Sequence, residues 1–144
     1  MSGDLALAVA AIDEANGADP TKEPDEAGTA RPAALLYGER MSAELARRDP
    51  NASEYLRIAA RGQHVERWLL PRSDYPDGRG VYLDWRKEQS RRHADRVSGI
   101  MANAGYNSVA QERVASLLRK EGLKRNPETQ MLEDVICFVF LRWY

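Results

Sequence analysis

Apolar positions recur every three to four residues in stretch after stretch of this chain, with glycine, proline and asparagine between them. That period is helical, and it predicts an all-α protein, a single-domain bundle of about six helices. Leu5, Ala8, Val9 and Ile12 form the first stripe, within residues 4 to 15, and Asn16-Gly17 stops it. Residues 18 to 30 carry Pro20, Pro24, Gly28, four acids and no large apolar residue, which predicts an exposed, mobile acidic loop. The chain therefore divides into an N-terminal helix with its loop over 1–30 and a helical domain over 31–144.

Pro32 opens a second helix with Ala34, Gly38, Met41 and Leu45 on one stripe, ending before Pro50. A third helix, capped by Asn51 or Ser53, is expected to run through Trp68 until Pro71 closes it. At helical spacing Tyr55, Ile58, Gly62, Val65 and Leu69 make an apolar stripe, and Arg57, Arg61, His64 and Trp68 lie beside it. The second stripe reads either as a solvated edge of the core or as a face turned to a ligand.

The stretch from Pro71 to Gly80 is too rich in proline and glycine for regular structure. A long helix over about residues 80 to 104 follows, with Tyr82, Trp85, Gln89, His93, Val97 and Ile100 on its inward face and Gly105 at its end. Residues 108 to 121 form the next helix, through Val114, Leu117 and Leu118, and Gly122 ends it. Asn126-Pro127 starts the last, whose run from Leu132 to Leu141 is apolar nearly all round and predicts a central buried helix. Cys137 in that run reads as packing.

Length and charge narrow the function. The 144 residues, 43% hydrophobic and 30% charged, suit one globular domain, with no apolar run long enough to span a membrane. A single cysteine and the lack of a basic start in residues 1 to 12 point to no signal peptide and a cytoplasmic location. The formal net charge of −1 argues against bulk nucleic-acid binding, yet Arg57 to Arg125 holds 15 Lys and Arg against 8 Asp and Glu. A local basic pocket suits a small phosphorylated ligand.

The chemistry-bearing residues follow from this. His64, His93 and Asp134 offer two imidazoles and a carboxylate, a set that a divalent metal (Mn, Fe, Zn or Mg) accepts while keeping positions open for water. Arg61, Arg67, Arg72, Arg86, Lys120 and Lys124 can surround phosphate oxygens, and Trp68, Trp85 or Tyr75 can stack on a ring. Glu66 or Glu133 can serve as general base.

The order of features resembles the HD-domain superfamily of all-helical, metal-dependent phosphohydrolases. Ala59-Ala60 through His64 looks like its His-bearing second core helix, His93 like an additional His, and Asp134 in Leu132-Glu-Asp-Val135 like its last ligand. Leu35-Leu-Tyr-Gly-Glu-Arg40 stands where the first His belongs and has none, and Val65 follows His64 where the pattern has Asp. A closer resemblance, over about residues 12 to 144, is to the domain-of-unknown-function 4202 family. It rests on Leu-Leu-Tyr-Gly-Glu-Arg-Met, Ala-Ala-Arg-Gly-Gln-His-Val-Glu-Arg-Trp, Pro-Arg-Ser-Asp-Tyr-Pro, Tyr-Leu-Asp-Trp-Arg, Leu-Leu-Arg-Lys-Glu-Gly-Leu-Lys and Gln-Met-Leu-Glu-Asp-Val. That resemblance implies no activity, and it implies a chain shortened after the last helix.

The expectation is an HD-like domain that binds a phosphorylated small molecule, a nucleotide above all, and hydrolyses it with a metal-activated water. The alternative is a non-catalytic ligand- or RNA-associated module with a degenerate metal site. A homo-oligomer through the C-terminal helix is a further expected assembly.

Overall fold

The computed structural model describes residues 3–144. Six α-helices span Leu5–Asn16 (α1), Ala33–Arg48 (α2), Glu54–Arg61 (α3), Arg79–Asn103 (α4), Ser108–Leu118 (α5) and Pro127–Trp143 (α6). A small antiparallel hairpin, Lys22–Pro24 (β1) with Ala30–Pro32 (β2), joins α1 to α2. The described chain is thus mostly helical, and no helix in it is long and apolar enough to cross a membrane.

Side-chain caps set most of the helix starts. Asp4 accepts from the Leu7 amide at 3.1 Å, Ser53 from Leu56 at 3.1 Å, Asn107 from Ala110 at 2.9 Å and Asn126 from Glu128 at 2.9 Å. Helix α2 has no cap of its own, because Pro32 precedes it. Its Ala34 amide is met at 2.9 Å by Asp19, a carboxylate only 5% exposed.

Asp19 belongs to the segment expected to be a mobile acidic loop, and the structure gives that segment a short hydrogen-bonded hairpin. Asp25 closes the hairpin turn by accepting from the amides of Ala27 and Thr29, and Gly28 supplies the left-handed residue. Arg31 then ties β2 to Glu39 of α2 at 2.6 Å. Strands of three residues with no alternating apolar side leave no periodicity to read.

Helix α3 is the central one. Leu56, Ile58, Ala59 and Ala60 are each 1% exposed or less, and α1, α2, α5 and α6 all pack against it. Close approach is built in at Gly38 of α2, where a Cβ would lie 3.0 Å from the Arg61 carbonyl. Helix α1 adds Ala8 and Ile12 to the same core, so the N-terminal helix is part of the bundle.

The third helix stops at Arg61 and does not reach Trp68. Gly62 breaks it where α4 comes closest: a Cβ there would sit 2.7 Å from Val97 Cγ2. The chain then turns through Glu66, in the left-handed region at φ 53°, whose amide donates to the buried Asn16 side chain at 3.0 Å. Arg67–Leu69 forms only a short 3-10 turn. The two stripes assigned to a continuous helix therefore do not exist beyond Gly62. Gly62→Ala should destabilise the fold by about 1–3 kcal/mol, because Val97 is fully buried and has nowhere to move; a urea midpoint unchanged from the parent would contradict the packing.

Helix α6 is also not the central helix that its apolar run suggested. Leu132, Val135 and Val139 face the core, but Phe140 is 63% and Leu141 74% exposed. Cys137 is exposed too, which corrects its reading as packing. The guanidinium of Arg48 covers Phe138 at 3.1 Å from the ring centre. Beneath this, Glu44 of α2, 1% exposed, holds Arg47 and Arg48 of its own helix and Arg142 of α6 at 3.0–3.1 Å. Burial pushes its carboxyl up, but Arg47 and Arg142 together outweigh that and hold it below the usual range.

Candidate functional site

A cleft of about 1040 Å³ opens past the C-terminal end of α3, at the upper end of the size range of small-molecule sites. One wall is cationic and aromatic: Arg67, Trp68 and Arg72 from the turns after α3, Trp85 and Arg86 from α4, and Lys120 from just beyond α5. The other wall is α6, which contributes Glu133, Ile136 and the exposed apolar side chains Phe140 and Leu141. Tyr37 of α2 and the two histidines lie between the walls.

The arginines of the first wall are held by aromatic faces and main-chain carbonyls. Arg67 lies 5.3 Å from the Trp85 ring centre, and Arg72 and Arg86 each lie 5.8 Å from that of Tyr82. Arg72 also donates to the carbonyls of Tyr75 and Pro76 at 3.1 and 3.0 Å. Among the described residues no carboxylate pairs with Arg67, Arg72 or Arg86. Their charge is free for an incoming anion.

Lys120 sits in the left-handed region at φ 61°, which ends α5 and carries its side chain into the cleft. Its ammonium donates to Gln63 Oε1 at 2.6 Å and lies 3.7 Å from Glu133. Burial pulls it down to about 8, Glu133 opposes the fall and Arg86 adds to it. The neighbouring imidazoles move the same way. Burial first, then Arg67, His93 and Lys120, hold His64 well below its ordinary value. Burial, then Lys120, Arg67 and Arg92, bring His93 down to about 3. Both rings are therefore neutral at neutral pH.

His64 is stacked on Tyr37, ring centres 3.8 Å apart and planes within 10°. The His93 ring centre lies 6.3 Å from that of His64, at the cleft's inner end. Burial raises the Tyr37 phenol well above its ordinary range, so the stack is a neutral aromatic surface.

The sequence-predicted residues fall into two groups. His64, His93, Arg67, Trp68, Arg72, Arg86, Lys120 and Glu133 line this cleft. Arg61 does not: it clamps Asp13 of α1 with two bonds of 2.8 and 2.7 Å and reaches Ser42 of α2. Glu66 pairs with Arg96 at 2.6 Å beside a separate shallow depression, so it is not a base for this cleft. Tyr75 does not line the cleft and only its carbonyl meets Arg72, and Lys124 is exposed on the loop before α6. Asp134 accepts from Gln130 of its own helix at 2.9 Å and does not line the cleft. Adjacent residues of a helix project about 100° apart, so a wall that takes Glu133 turns Asp134 away.

The expected metal set is accordingly not assembled. Among the described residues no three His, Cys, Asp or Glu side chains are grouped to hold a metal ion, and Lys120 and Arg67 already place positive charge beside both imidazoles. The donor set does not fit the ion, and no step through a metal follows from it. Tyr37, Gln63 and Gln89 also line the cleft, and no local chemistry in the sequence marks them as site residues. Tyr37 and Gln63 stand within the quoted segments and Gln89 on the inward stripe of α4, so position marked them although chemistry did not.

A mostly helical protein with a cationic, aromatic-lined cleft is the class that fold and site define. The chain belongs to the family described as "Domain of unknown function (DUF4202)", whose model matches residues 6–144. No curated protein and no solved structure matches it.

Proposed function

We propose that this cleft binds a phosphorylated small molecule with a flat ring, a nucleotide. The observation that carries the reading is the wall on which three arginines without carboxylate partners stand among indole and phenol rings, with Lys120 beside them. Guanidiniums grip phosphate oxygens in pairs, lysine adds a point charge, and aromatic faces take the ring. Neutral histidines suit such a site, since their uncharged rings add hydrogen-bonding groups without further crowding of cations. The RNA-associated reading gains less, because the cations converge on a concave cleft and form no extended track.

Hydrolysis of the bound ligand is the second half of the proposal. Glu133 is the base it would use, as the expected carboxylate that lines the cleft. The HD-like reading draws support from Tyr37, which lies against His64 and comes from the segment where that superfamily carries its first histidine.

Thermal denaturation with nucleoside triphosphates, inorganic triphosphate and neutral sugars tests binding, and phosphate release with and without Mn²⁺ tests turnover. Triphosphates at a hundred times Kd should stabilise the fold by about 2.7 kcal/mol, and neutral sugars not at all. The effect should shrink as salt rises. Indifference to every triphosphate at low salt ends the proposal.

A further inference from the structure

Gln89 and His93 stand one helical turn apart on α4, each 5% exposed and each lining the cleft. The Gln89 amide has one orientation available. Its NH₂ donates to the Arg67 carbonyl at 3.0 Å and the Leu70 carbonyl at 2.9 Å, and turning it over would set oxygen against two oxygens. Oε1 is thereby left buried with no donor, and His93 Nε2, one turn further along the helix, is buried with no partner either. Nearly all buried polar atoms in native proteins are paired, so two orphans on one face of one helix, both at a ligand cleft, call for a partner.

Their chemistry selects it. Gln89 Oε1 only accepts, which repels a phosphate oxygen and leaves the anionic end of a ligand to Arg67, Arg86 and Lys120. Of the two neutral tautomers of His93, the one protonated on Nε2 donates, and it is the one that complements the Gln89 acceptor. An acceptor beside a donor fits a ring edge that carries an exocyclic amino group next to an unprotonated ring nitrogen. Adenine and cytosine present that edge; hypoxanthine and uracil present its inverse, a carbonyl beside a ring N–H.

We infer that Gln89 and His93 read the amino-bearing edge of the ligand's base, so that the cleft prefers adenine or cytosine nucleotides to their keto counterparts. The inference rests on the nucleotide reading above. Neither atom is open to solvent in the arrangement described, so a base pairs with them only once the side chains above them give way.

Calorimetric titration of the full chain with ATP against ITP, and with CTP against UTP, tests it. ATP should bind about tenfold or more tightly than ITP, and CTP likewise than UTP, because the keto ring leaves both protein atoms unpaired. In Gln89→Met the ATP-to-ITP ratio should fall toward one, and a ratio within one variant is indifferent to any general loss of stability. Equal affinities for ATP and ITP in the parent protein overturn this inference while leaving nucleotide binding intact. Binding of inorganic triphosphate but of no nucleotide overturns it together with the nucleotide assignment, and failure of inorganic triphosphate as well removes the anion cleft itself.

Discussion

Lowering the pH from 6.5 to 5 should cost this protein about 1–2 kcal/mol of stability through His93 alone, with His64 adding in the same direction. The sign follows from which state binds protons. In the unfolded chain an imidazole titrates near 6.5, whereas in the fold burial holds His93 down to about 3 and His64 well below its ordinary value. Between those limits the unfolded state carries the extra protons, so stability is full above about pH 6.5 and declines as pH falls. Buried carboxylates do not confuse the window. Glu44 is held below its ordinary value, so the stability it gives is present above about 4.5 and is lost only as pH falls through its lower folded value. Urea unfolding in steps from pH 7 to 5 reads the slope, which should approach one proton per buried imidazole. His93→Gln should flatten it by about one proton, and a parent protein of equal stability at pH 7 and pH 5 would show that the imidazoles are charged or solvated in the fold.

Why these imidazoles are buried was only partly legible from sequence. The inward stripe of α4 is a helical period, and Trp85, Gln89, His93, Val97 and Ile100 all lie where it puts them. Caps and breakers were equally readable, because Ser53, Gly105 and Asn126-Pro127 act within a few residues of where they stand. Long-range partners were not. The end of α3 depends on Asn16 and Val97, which are close only in the folded chain, so a stripe drawn through Trp68 on local spacing ran too far. Arg61 and Arg67 look alike in sequence. One found Asp13 and became a tie between helices, while the other met no acid and was left facing the cleft. An apolar run like that of α6 shows that a helix is hydrophobic without showing which side the bundle covers, and here the uncovered side became a cleft wall.

The distinction between those arginines gives the second large effect. Arg67→Ala with Arg86→Ala should weaken triphosphate binding by roughly a hundredfold to ten-thousandfold, since a hydrogen bond to a charged phosphate contributes about 1.5–3 kcal/mol and each side chain supplies at least one. Stability should change little. Both side chains are exposed, neither has a carboxylate partner among the described residues, and each loses only a cation–π contact with Trp85 or Tyr82. Arg61→Ala is the contrasting control: it should lower the unfolding midpoint by breaking the clamp on Asp13 and leave the affinity of the folded protein unchanged. The double variant also connects to the acid response. Arg67 is among the charges that hold both imidazoles down, so its removal lets His64 and His93 rise toward their ordinary values and should make the protein lose less stability on acidification. Isothermal titration and pH-dependent unfolding of the same variant therefore read two consequences of one charge. A double variant that binds triphosphate as tightly as the parent would place the anion elsewhere than on this wall.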